Sequence, residues 1–271
     1  MKRWSLAFAI LVFLLGTTPV LTHAAGNTGT IVGKVVFTGK APRNKLIRMG
    51  ADPKCLELNR GKKVYQEVVV VNDNGTLKNV FVHIKEGLKG KFSPPKEPAL
   101  IDQKGCIYHP RVTGVMIGQK LKVRNSDPTL HNVHAWSKAG NDFNVAQPVQ
   151  GMENEFNLKA PEVMLQIKCD VHPWMIGYVG VLPHPFFAVT GDDGTFEIKN
   201  VPAGKYVLQA WHEKFGAKTV TVEVQPGKTV TVEFSYSGSE SAALNPGFTM
   251  QELRIHGRDM TITPVYDSDE R

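Results

Sequence analysis

The chain has 271 residues, 42% apolar and 21% charged, with 25 glycines and 17 prolines scattered without a repeat. That composition excludes disordered, fibrous and collagen-like classes, and the wealth of turn residues suits many short strands. The formal charge is +7, concentrated in residues 26–185, which carry 22 Lys and Arg against 13 Asp and Glu, a balance of +9. At the N-terminus Lys2 and Arg3 precede an apolar run from Leu6 to Leu15 and a small, polar stretch ending Ala24-Ala25. This reads as a secretory signal over residues 1–24, cut after Ala24. The run is too short to span a bilayer, so no transmembrane segment is expected after cleavage. Export to an oxidising compartment makes the three cysteines informative: Cys55, Cys106 and Cys169 suggest one disulfide and one thiol kept for another purpose.

Strands are expected at Thr30–Thr38, Val64–Asn72, Asn79–Lys85, Lys120–Arg124, Glu155–Asn157, Met164–Lys168 and Ile176–Leu182, all rich in Val, Ile or Phe and bounded by turn residues. A short helix is expected around Lys54–Asn59, and Asn72–Gly75 (NDNG) reads as a tight turn. After Pro185 the pattern becomes more regular, with strands separated by Asp-Gly, Pro-Ala-Gly and Pro-Gly turns, as in a small β-sandwich. Within it TVTVEVQPGKTVTVEF reads as a hairpin with alternate Val residues on one side. A unit of about 50 residues buries little alone, so it is expected to pack on the first unit. The tail, residues 237–271, is expected to be extended, adding at most one strand through Met260–Val265.

The chemistry lies between Asn125 and Met175. NSDPTLHNVHAW is followed by CDVHPWM, in which a Cys, a His and a Met recur at three-residue steps. A histidine of the first segment with these three gives two imidazoles, a thiolate and a thioether. That donor set makes a trigonal copper site with a weak axial Met, suited to single-electron transfer. Cys169 ends one expected strand, and His172 and Met175 occupy the loop before the next. HNVH offers two candidates, His131 and His134. Both are expected on the same side of their strand, so spacing alone does not choose between them.

These segments resemble the cupredoxins, and within them the amicyanin and plastocyanin group, over residues 27–184. The resemblance implies a Greek-key β-sandwich holding one type 1 copper through His131, Cys169, His172 and Met175. It also implies that Asn132 braces the thiolate loop. The long segment Gly39–Lys63, with its own Cys, departs from the family pattern. Residues 185–236, with DGTFEIKNVPAGKYVLQAWHE, resemble the carboxypeptidase regulatory-like domain, a transthyretin-like sandwich without catalytic groups. The expected architecture is therefore all-β: a cupredoxin sandwich followed by a small second one.

A bridge between Cys55 and Cys106 would leave Cys169 free and, by closing a long loop, could contribute about 4 kcal/mol in the chain-entropy model. Its rival is a disulfide from Cys169 to either of them. His134 otherwise reads as structural, Met175 as core packing, and His212 as a packing histidine between the two units. His109 and His184 sit beside prolines and offer a second metal site only if the fold brings them together. No Ser-His-Asp set, HExxH, Walker loop, GxGxxG or CxxCH occurs, so no enzyme is expected. The expectation is an electron carrier of the periplasm or cell surface, with an acidic redox partner such as a c-type cytochrome or a periplasmic dehydrogenase and no nucleic acid. Docking is expected at Pro173 and Trp174, beside an exposed edge of His172. Two alternatives remain, a non-redox copper-delivery protein and a metal-free surface contact module.

Overall fold

In the computed structural model, residues 26–240 are described; the expected signal and tail residues 241–271 lie outside them. The elements in chain order are β1 (Thr28–Phe37), α1 (Pro53–Leu58), β2 (Phe81–Glu86), β3 (Ala99–Gln103), β4 (Tyr108–His109), β5 (Val112–Met116), β6 (Lys120–Asn125), β7 (His131–Trp136) and β8 (Phe143–Gln147). There follow β9 (Glu153–Asn157), β10 (Glu162–Lys168), β11 (Ile176–Leu182), β12 (Phe187–Val189), β13 (Thr195–Pro202), β14 (Gly204–His212), β15 (Gly216–Val224) and β16 (Thr229–Tyr236). The fold is nearly all β. Among the described residues no helix is long and apolar enough to cross a membrane.

The strands make two sandwiches. In the first, sheet β5-β11-β10-β7-β8 faces sheet β4-β3-β6-β9 across a core of Ile101, Leu121, Val133, Leu165 and Val179. In the second, β13-β1-β16 faces β12-β2-β14-β15 around Ile31, Val35, Ile84, Leu208 and Phe234. Strands β1 and β2, expected in the first unit, are thus built into the second. β1 lies between antiparallel β13 and parallel β16, and β2 between β12 and β14. The sheets therefore do not divide at residue 184 as the composition does. The reason is size: about 50 residues cannot enclose a core, and the two early strands supply its missing interior.

Two other expectations are corrected. TVTVEVQPGKTVTVEF is not a hairpin, because β15 pairs with β14 while β16 pairs with β1 in the opposite sheet. Its alternating residues face each other across the core, with Val222 and Val224 on one side and Val232 and Phe234 on the other. Val64–Asn72 forms no strand, only isolated bridges from Tyr65 to Leu46 and Val71 to Leu77. The NDNG turn is present: Gly75 has φ +77° and its N–H donates to Asn72 O at 2.9 Å.

The two sandwiches meet through paired glycines. Gly114 of β5 and Gly180 of β11 are register partners. The ring of Phe187 fills the space where a Gly114 Cβ would stand, and the Phe81 ring does so at Gly180. The rings contact each other at 5.6 Å, in a cluster with Val112, Leu182 and Trp211. A side chain at either glycine would push the sandwiches apart.

If β1 and β2 complete the second sandwich, a fragment of residues 183–240 will not fold alone. Thermal unfolding followed by circular dichroism should give no cooperative transition for it. A sharp transition would mean that the two early strands are accessory.

Candidate metal centre

The end of β6 aims the first histidine. Asn125 is buried and donates its amide to Thr129 O and Gln147 O at 2.9 and 2.8 Å, while accepting from Asp127 N at 2.9 Å. This network shapes the turn that delivers His131 at the start of β7. The other three residues come from the loop between β10 and β11. Cys169 N–H donates to Met175 O at 3.1 Å and Met175 N–H to His172 O at 2.9 Å, closing a tight loop with all three side chains buried.

His131 Nδ1 and His172 Nδ1 stand 3.0 Å apart, and Cys169 Sγ lies 3.7 Å from His172 Nδ1. The ligand atoms of these three residues all fall within 4.8 Å of one another. Met175 is in the same buried cluster as Cys169. His134 is elsewhere. Two residues separate it from His131, so the strand pleat sends the two to opposite faces, contrary to the expectation of a shared side. His134 Nδ1 instead bonds Asp170 Oδ2 at 2.8 Å on the outer face.

The Nε2 atoms point away from the centre, and each meets a carboxylate that the motif gives no hint of. His131 Nε2 bonds Asp127 Oδ2 at 2.9 Å, and Asp127 also accepts from the N–H groups of Gly105 and Cys106, both at 2.7 Å. His172 Nε2 bonds Asp52 Oδ2 at 2.9 Å. Asp52 is the N-cap of α1, accepting from Lys54 N and Cys55 N ahead of Pro53 at the first helical turn. An Asp-Pro before a short helical stretch is a cap signature that could have located it.

Asn132 holds the thiolate loop from both its backbone and its side chain. Its N–H points at Cys169 Sγ at 3.5 Å, its Oδ1 accepts from Asp170 N at 2.5 Å, and its carbonyl accepts from Tyr108 OH at 3.0 Å.

The segment that departed from the family pattern forms a lid. Cys55 of α1 is bridged to Cys106, their Cα atoms 5.7 Å apart, and Cys169 is free and buried. Cys55 Sγ lies 3.5 Å from His172 Nε2. His172 is consequently 1% exposed, so the expected open imidazole edge is covered. Pro173 is exposed and Trp174 half-buried, its indole N–H donating to Cys106 O at 2.9 Å. His109 and His184 join none of the metal-capable groups found among the described residues. His212 packs on Phe215 within the second sandwich, with Nδ1 accepting from Lys214 N and Phe215 N.

The electrostatics follow from this geometry. Burial pushes the Cys169 thiol up, but hydrogen bonds from His131 and His172 outweigh it and bring the thiol down to about 6. Burial opposes charge on His131, yet Asp127 and Cys169 together raise it to about 9. For Asp52 burial is outweighed by bonds from His172, Cys55 N and Lys54 N, which hold it at about 2. A soft thiolate and two imidazoles with inward Nδ1 atoms, shielded from water, fit a copper ion in either oxidation state.

Residues 183–237 match the carboxypeptidase regulatory-like domain family. They contribute β12 to β16, five of the seven strands of the second sandwich. No curated protein matches the chain. Among solved structures, a purple cupredoxin from Nitrosopumilus maritimus is 22% identical over 31% of this chain and 98% of its own, with a TM-score of 0.27. A mutant of amicyanin in its Cu(I) form is 19% identical over 31% of this chain and 81% of its own, with a TM-score of 0.28. A Cu-containing nitrite reductase from Thermus scotoductus is 18% identical over 37% of this chain, TM-score 0.31, and the match spans only 25% of the reductase.

The denatured, metal-free protein should show one reactive thiol, and Cys169→Ser none. In the folded metal-free protein the thiolate absorbance should rise with a midpoint near 6. The thiol is depressed on folding, so its contribution to stability is lost as pH falls through about 6. His131 is raised, so its contribution is lost as pH rises through about 9. Between these values the thiol's contribution grows with pH while that of His131 shrinks, and the two nearly cancel, so denaturation midpoints should change little from pH 6.5 to 9. A steep rise or fall across that window would contradict the thiolate–imidazolium pairing.

Proposed function

We propose that this is an exported type 1 copper protein that carries single electrons between redox partners. The observation that carries the reading is that three strong donors converge in a buried centre beneath a disulfide-stapled lid. His131, Cys169 and His172 would hold the ion as strong donors, with Met175 as a weak fourth donor. Bound there, copper would supply a one-electron couple, the soft sulfur suiting Cu(I) and the imidazoles Cu(II), so that neither state is strongly preferred. The chain's own part is to keep the donors in place in both states, so that little reorganises on transfer. Asp127 and Asp52 orient the imidazoles, Asn132 braces the loop, and the lid keeps water out.

The stapled lid also favours a resident ion over a delivered one, since release would require α1 to lift away from His172. The electron would cross the single layer formed by Asp52, Cys55 and Trp174 rather than leave from a bare imidazole. Trp174 and Pro173 remain the apolar contact offered to a partner. The +9 balance of residues 26–185 supports an acidic partner, such as a c-type cytochrome or a periplasmic dehydrogenase.

The oxidised, copper-loaded protein should show an intense visible sulfur-to-copper band. His131→Ala should abolish it and His134→Ala should leave it. Met175→Leu should keep the band and raise the reduction potential, because a weak donor to Cu(II) is lost. A weak, ordinary copper spectrum, or loss of the band in the His134 variant alone, would overturn the assignment. Stopped-flow oxidation by an acidic cytochrome should slow steeply with salt, as exposed charges are screened beyond about 10 Å at 0.1 M. A flat salt profile would remove the steering.

A further inference from the structure

Arg111 joins the two sandwiches at a point that bears on the metal centre. It stands just before β5, and its Nε and Nη2 donate to the two carboxylate oxygens of Glu213 at 2.6 and 2.8 Å. Glu213 belongs to the second sandwich, in the turn after β14. Both residues are partly buried, their side chains 10% and 8% exposed. The third arm of the guanidinium, Nη1, donates to Ile176 O at 3.2 Å, and Arg111 O accepts from Tyr178 N at 2.8 Å. Ile176 directly follows Met175, whose own carbonyl accepts from Cys169 N–H. The guanidinium therefore grips the chain one residue past the axial candidate, where both ends of the loop meet.

We propose that Arg111 and Glu213 are positioning residues for the axial side of the metal centre, through which the second sandwich sets where Met175 lies. This rests on the reading of Met175 as axial ligand. A guanidinium held by both carboxylate oxygens is fixed in plane and direction, which a lysine at the same place would not be. Burial makes the arrangement stiff, because removing one partner leaves the other charge unpaired. Beside Met175 and Arg111 lies a cavity of about 20 Å³, also bordered by Trp174 and Tyr108. Met175 is itself 1% exposed, so packing and the backbone grip together decide where its thioether lies. An axial bond that is long and weak responds to small displacements of sulfur, and it tunes the potential without disturbing the three strong donors. The second sandwich thereby acquires a task without touching the ion.

The test uses the full chain and three substitutions. Glu213→Gln removes the charge that holds the guanidinium. Arg111→Lys keeps a cation at the interface but cannot reach Glu213 and Ile176 O together. Phe187→Leu loosens the same interface at the paired glycines, away from the loop. In the metal-free protein, amide exchange at Cys169, Met175 and Tyr178 should speed up about tenfold or more in the first two variants, the scale expected when a buried charged hydrogen bond is lost. In the copper-loaded protein the same two variants should shift the reduction potential and the relative band intensities. Phe187→Leu should lower the unfolding temperature while leaving exchange in the loop, spectrum and potential unchanged. The proposal is overturned if Arg111→Lys and Glu213→Gln leave all three readouts at their original values, or if Phe187→Leu moves them equally. Should Glu213→Gln fail to fold, Arg111→Lys and Phe187→Leu decide the matter. If the unaltered protein shows no intense band, the type 1 reading falls, and the exchange rates alone decide the positioning role.

Discussion

Each imidazole of the candidate centre is held at Nε2 by a carboxylate, His131 by Asp127 and His172 by Asp52. That constraint turns both Nδ1 atoms inward until they stand 3.0 Å apart. A carboxylate partner keeps the proton on Nε2 and leaves the Nδ1 lone pair free for a ligand role. Two lone pairs facing each other at this distance would repel, and in the metal-free protein a proton shared across the contact relieves that. In keeping with this, His131 is raised to about 9 while the neighbouring Cys169 thiol is brought down to about 6.

Keeping such a centre together requires support from outside it. Asp127 is fixed by two backbone N–H groups beside Cys106, and Asp52 by those of α1 beside Cys55. The disulfide between these two cysteines ties the two carboxylate mounts to each other. Lid, staple and carboxylate clamps are thus one device. It buries His172 under a single layer of protein and trades an open edge for a dry, rigid surround.

Much of this was legible in the sequence, and the limits have physical reasons. The candidate donors stood out because Cys, His and Met recur at three-residue steps in one loop. The strand pleat itself puts His131 and His134 on opposite faces, and alternation with the apolar Val133 and Ala135 marks His131 as the inward one. The carboxylates' pairing with the histidines was not legible, since a cap signature marks Asp52 without its distant partner and Asp127 reads as an ordinary turn residue. Strand composition marked β1 and β2 but not their sheets, because pairing is a long-range matter. The paired glycines of β5 and β11 carried no signal in the sequence, and only the Phe81 and Phe187 rings give them meaning.

The central claim is that the chain holds two imidazoles and one thiolate in a single arrangement that serves both copper oxidation states. X-ray absorption of the copper-loaded protein measures those bonds directly. The account predicts a shell of two nitrogens and one sulfur in the oxidised protein and the same shell, little changed in length, after reduction. Loss of an imidazole on reduction, or an added oxygen shell from water, would contradict it.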